Sequence, residues 1–214
     1  LIPGTTEFGY EPAQVTRTVG PGQSVAENRH VAHAVSDVAA AVEELEGLCP
    51  NLERVAVVVA WFGDDLRAGR CTLRPGVEVA DKSTAGGVWR VAGVDRAAAH
   101  VVSTVGARPA YGGTPSDLSV IHLIAALRAR GLKVTLYPFV MMDIPFGNAL
   151  PDPWSGAATQ PTYPWRGRIT CDPAPGRPDS VDGTDAAVAQ VQALFGAVAP
   201  ADFSIIAGDV VYSG

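Results

Sequence analysis

The run Arg54-Val55-Ala56-Val57-Val58-Val59-Ala60-Trp61-Phe62 limits the folds open to this chain more than any other feature. It is apolar and largely β-branched, without polar alternation. That pattern belongs to a strand covered on both faces, as in parallel sheets packed by helices. A second unit repeats the theme. Thr114-Pro115-Ser116-Asp117 reads as a helix start, with a hydroxyl cap, a proline whose missing N–H costs nothing, and an acid in the first turn. Val120, Ile121, Ile124 and Leu127 give the buried face, Arg128 and Arg130 suit the helix C-terminus, and Gly131 supplies the stop. The strand Val134–Asp143 follows, with Pro138 predicting a bulge or a lost ladder bond. Helix, short turn and apolar strand form the repeating step of an α/β fold.

The rest is placed around these two units. Residues 1–24 read as a strand-like lead-in or linker turning at Gly20-Pro21-Gly22, and residues 25–214 as one domain. Val31, Ala34, Val35, Val38, Ala41, Val42 and Leu45 predict a helix of about five or six turns from Ala26 to just before Pro50. Residues 71–80 and 88–92 look like short strands of an inserted hairpin, and 95–104 like a short helix. Residues 144–182 hold eight prolines and four glycines in 39 positions, so they read as one long rim loop. Its four aromatics, Phe146, Trp154, Tyr163 and Trp165, argue against disorder. A helix near 184–195 and a third major strand over 203–212, broken at Gly208, complete the reading. The fold class is therefore α/β.

Composition excludes several functions. A net charge of −6 over 214 residues, with no basic stripe, argues against nucleic acid. No apolar run reaches the roughly 18 residues of a membrane span. Cys49, Cys71 and Cys171 stand in no metal-ligand spacing and read as buried thiols of a protein made in a reducing cytosol. His30, His33, His100 and His122 fall on expected helices or helix starts; His30 and His33 lie three apart, with nothing nearby to complete a metal site. Neither a metal nor a cofactor is expected. The absent initial methionine and the end at Gly214 suggest a piece of a longer polypeptide.

Carboxylates at strand ends are the candidate chemistry. Asp64 and Asp65 follow the first strand and Asp143 ends the second, positions where an α/β barrel carries its active site. Paired carboxylates serve glycoside hydrolysis, one protonating the leaving oxygen and the other attacking or activating water. Tyr111, Trp154, Tyr163 and Trp165 are candidates to stack on sugar rings, with Arg166 or Arg168 bonding hydroxyls or reaching the carboxylates. The alternative roles are turn former for each aspartate and loop anchor for each aromatic.

Several strings resemble one family. They are Trp61–Gly69, Arg74–Glu78, Arg108–Asp117, Tyr137-Pro138-Phe139 with Met142-Asp143-Ile144-Pro145, and Pro164–Thr170. From about residue 25 to the end, the chain is similar to the TIM-barrel-like, glycoside-hydrolase-like domain of the large tail-tip protein of gene transfer agents and related siphophages. The resemblance implies a partial (β/α) barrel made of its opening strands and helices. It implies a baseplate or hub component, made in the bacterial cytoplasm and located at the tail tip of a virion-like particle. Such a component acts in host-surface contact and cell-wall penetration. Implied partners are other tail proteins, two further copies in a homotrimer, and host peptidoglycan or surface polysaccharide. An active glycoside hydrolase and a non-catalytic glycan-binding module are the alternatives. The family's best acid/base candidate, a glutamate after a later strand, would lie beyond Gly214.

Overall fold

The computed structural model describes residues 7–163, 168–206 and 209–212. The chain forms two compact units. One comprises residues 1–62 and 74–143, the other residues 63–73 and 144–214.

The first unit opens with β1 (Thr16–Gly20) and β2 (Gln23–Ala26), an antiparallel hairpin. The hairpin turns at Pro21-Gly22, where Gly22 takes φ +67°. Helix α1 covers Asp37–Leu48, three turns rather than five or six. The helical period continues upstream, but longer-range bonds win there. Asn28 donates to the carbonyls of Glu11 and Ala13 and accepts from the Val15 amide, and Arg29 holds the carbonyls of Ala32 and Ala34. Ser36 then caps the helix on the Ala39 amide. Residues 30 and 33 consequently lie in a loop, not on a helix.

Strand β3 (Arg54–Gly63) follows, then the two-residue strand β4 (Leu73–Arg74). Short pairings fill the insertion. They are β5 (Gly76–Val77), β6 (Thr84–Ala85), β7 (Arg90–Val91), β8 (Val94–Asp95), β9 (His100–Val101), β10 (Thr104–Val105) and β11 (Arg108–Pro109). The helix expected over 95–104 is a single 3-10 turn, Arg96–Ala98, and His100 begins a strand that pairs parallel with β5. Helix α2 (Asp117–Ala129) starts from Ser116 as its sequence indicates. Its buried side is Ser119, Leu123 and Leu127, with Val120 partly buried, while Ile121 is exposed. The helix is apolar on nearly every side, so composition alone left its inward face open.

Strand β12 (Lys133–Met142) lies beside β3 in a sheet ordered β12-β3-β4. The Lys133 amide donates to the Glu53 carbonyl at 2.9 Å, and Arg54 reaches Thr135 Oγ1 at 3.1 Å. Two ten-residue strands that begin side by side run in the same direction. β12 occupies the sheet edge, which is where Pro138 is tolerated, since one side needs no donor. Double-sided cover is not found: Val55 and Val57 are buried, but Ala56, Leu136, Tyr137 and Phe139 are exposed. One core joins α1, α2 and the sheet through Val38, Val42, Val55, Val57, Leu123 and Leu127.

A buried charge knot ties the insertion to the N-terminal segment. Lys82 Nζ bonds Glu27 at 2.5 Å, Glu78 at 3.0 Å and Glu7 at 3.2 Å. Arg96 adds a 2.6 Å bond to Glu7, and Arg17 one of 3.3 Å to Glu27.

The second unit contains α3 (Asp185–Phe195), β13 (Phe203–Ile206) and β14 (Asp209–Tyr212). β13 and β14 pair antiparallel with each other. This corrects the expected third major strand, because the apolar run closes on itself as a hairpin.

The partial TIM-barrel-like fold is therefore not what the chain forms. Among the described residues there are three α-helices and many short strands in separate sheets of two or three, and no closed barrel. Beside the neighbours β3 and β12, the insertion forms separate short sheets and β13 pairs only with β14, so the barrel that the resemblance implied gains no further major strand among the described residues. No described helix is long and apolar enough to cross a membrane. Cys49, expected to be buried, is exposed, while Cys71 is buried.

Candidate functional site

The first unit gathers its chemistry where β3 and β12 end. Asp143 directly follows β12, and the main chain there is fixed by Tyr111, whose hydroxyl donates to the Met142 carbonyl at 2.9 Å. Tyr111 packs on Phe62, the penultimate residue of β3, with ring centroids 5.8 Å apart. Phe62 also lies 6.2 Å from the ring of His100. Gly76 and Thr114 support this layer: the Gly76 amide donates to Thr114 Oγ1 at 3.0 Å, and the Thr114 amide returns to the Gly76 carbonyl at 2.8 Å. A Cβ on Gly76 would stand 2.6 Å from the Phe62 ring, so only glycine permits this approach.

His100 Nε2 and Asp143 Oδ2 are 2.7 Å apart, and the Ser103 amide donates to the same oxygen at 2.9 Å. Asp143 Oδ1 is buried and has no hydrogen-bond partner. Burial pushes the Asp143 carboxyl up, but the bonds from His100 and from the Ser103 amide and hydroxyl outweigh it. The group is held below the usual carboxylate range and is ionised at neutral pH. This arrangement can hold a fixed imidazole tautomer and exchange protons through it.

Asp64 and Asp65 belong to the second unit, and local structure takes up both. Asp64 Oδ1 accepts from the Thr72 amide at 2.8 Å, closing the turn after β3. Asp65 receives the Arg67 guanidinium, its shortest contact 2.6 Å, and the Gln160 amide group at 2.7 Å. Burial raises the Asp65 carboxyl, yet the Arg67 and Gln160 bonds prevail and lower it overall. Gln160 also accepts from the Leu66 amide, so these residues fasten the long loop to residues 63–73. The turn-forming role is the one seen for Asp64, and the loop-fastening role for Asp65.

The aromatic residues divide similarly. Trp154, 39% exposed, donates from its indole to the Arg168 carbonyl, and the Arg168 guanidinium lies 5.7 Å from its ring centroid. The Arg168 guanidinium is thus seen against Trp154. The Tyr163 amide bonds the Ile144 carbonyl, closing the loop's base. Trp165 and Arg166 lie outside the described residues. Sequence reasoning missed His100, Ser103 and Gln160. The only available signal was that His100 precedes the β-branched pair Val101-Val102, which favours a strand.

Among the described residues, no group of three histidines, cysteines or carboxylates is placed to hold a metal ion. Compared with known families and with curated proteins, the chain matches no family model and no curated sequence.

Proposed function

We propose that this chain is part of the tail-tip, baseplate or hub protein of a gene transfer agent or siphophage-like particle. In this reading it acts in host-surface contact and cell-wall penetration. One observation carries the proposal. Four separated strings that resemble the family each contribute residues to one layer of the first unit, with Phe62 from one, Gly76 from the next, Tyr111 and Thr114 from the third, and Met142-Asp143 from the fourth. Location at the tail tip, contacts with other tail proteins, a homotrimeric assembly and a host glycan or peptidoglycan as the surface met all belong to the same proposal.

The test uses the intact parent protein in its producing cell. Immunogold labelling of purified particles with antibody to this chain is expected to mark one end of the tail. Deleting the coding region should abolish gene transfer or infection. Particles that transfer normally without the chain would refute the proposal.

A further inference from the structure

In open sheets of parallel strands, ligands gather beyond the carboxyl ends of the strands. At that end of β3 and β12 the chain carries an acid–imidazole pair with a dry inner member and a wetter outer one. The Asp143 side chain is 1% exposed and the His100 side chain 16%. Bonding between Asp143 Oδ2 and Nε2 places the ring proton on Nε2 and leaves the Nδ1 lone pair as the free basic position. The bonds from Ser103 and the packing of Phe62 hold the two groups in this orientation.

The surroundings narrow the substrate class. Among the described residues, Asp143 bonds no lysine or arginine, and an anionic carboxylate without such a clamp disfavours phosphoryl groups. Glycosidic cleavage calls for a second carboxylate, whereas the outward group here is an imidazole. An uncharged acyl carbonyl meets neither objection. We propose that His100, positioned by Asp143, is a general base for attack of water on a small ester. The water O–H bond breaks towards Nδ1 while its oxygen bonds the carbonyl carbon. The imidazolium formed is balanced by Asp143, which stays ionised. When the adduct collapses, the C–O bond to the alcohol breaks and the proton passes from Nδ1 to the departing oxygen, leaving acid, alcohol and neutral imidazole.

The inference is independent of where the protein resides. The full chain is incubated with p-nitrophenyl acetate across pH 5–9, alongside an equal concentration of free imidazole. The expected result is faster hydrolysis by the protein, reduced about tenfold or more in His100→Gln. Asp143→Asn should slow it, because the imidazolium formed in the reaction loses its anionic partner. His122→Gln, altering an exposed histidine paired with Glu11, should leave the rate unchanged. Equal rates for the unaltered chain and His100→Gln, or a rate no greater than that of imidazole, would overturn the proposal. Should Asp143→Asn fail to fold, nitrogen-15 shifts of the unaltered His100 ring decide: a proton on Nε2 supports the pair, and a proton on Nδ1 overturns it.

Discussion

Lys82→Met is the most informative single perturbation of the fold. The Lys82 side chain is 4% exposed, and its ammonium is the shared cation of three carboxylates. Methionine keeps most of the stem volume and removes the charge. Glu7 retains Arg96 and Glu27 retains Arg17, but Glu78 loses its ammonium partner while remaining largely buried. Removing one member of a buried ionic group costs about 3–5 kcal/mol, because the remaining charge stays desolvated. For a chain of this size that corresponds to a melting-temperature fall of roughly 6–20 °C. Thermal unfolding followed by circular dichroism at pH 7 measures it. The sign of the pH dependence is fixed independently. Burial raises the Glu78 carboxyl even with Lys82 in place, against the lowering by that ammonium. A raised carboxyl gives most stability when protonated, so the deficit of Lys82→Met should shrink as pH falls from 7 to 5. Adding Glu78→Gln to Lys82→Met should recover part of the loss at pH 7. A deficit below about 1 kcal/mol at pH 7, the level of an exposed ion pair, would refute the view that this knot is dehydrated.

Two further substitutions address the other features. Asp65→Asn should free the loop that Gln160 and Arg67 hold, speeding proteolysis between residues 144 and 160 at unchanged pH. The lowered Asp65 carboxyl stabilises above its unfolded pKa and loses that contribution as pH falls through its folded value, so acid below the ordinary carboxylate range should mimic the substitution in the unaltered chain. Gly113→Ala would place a Cβ 2.4 Å from Glu7 Cγ and 2.9 Å from the Gly76 carbonyl oxygen. The expected destabilisation is about 1–3 kcal/mol by chemical denaturation, and none would show that this approach can relax.

The two long strands and the region of the start of α2 were legible because their causes are local, a β-branched run, a hydroxyl-and-proline helix start and a Gly131 stop, although the cap is Ser116, two residues beyond Thr114. What failed depended on distant partners. The helical spacing of Val31, Ala34 and Val35 is real, but Asn28 commits that segment to residues 11–15 through three hydrogen bonds. The strand character of Phe203–Ile206 and Asp209–Tyr212 was legible, and the break read at Gly208 falls between them, but reading one major strand missed that the two halves pair with each other. Asp143 was found by its place after a strand. His100, 43 positions away, meets it through the β5–β9 pairing, which no spacing motif announces.

The division of the chain constrains any attempt to take it apart. Residues 63–73 leave the first unit's sequence and are counted with 144–214, after which the chain returns for 74–143. The backbone thus passes the boundary three times, after Phe62, Leu73 and Asp143. A single cut cannot excise either unit. A truncation at Asp143 strips residues 63–73 of Gln160 and of the Thr170 carbonyl that receives the Ala68 amide. Exchange between related genes by one crossover at 143 would likewise pair an inherited 63–73 segment with a foreign loop. For this chain, modular reuse therefore requires three simultaneous junctions, and the turn after β3 must travel with the tail it fastens.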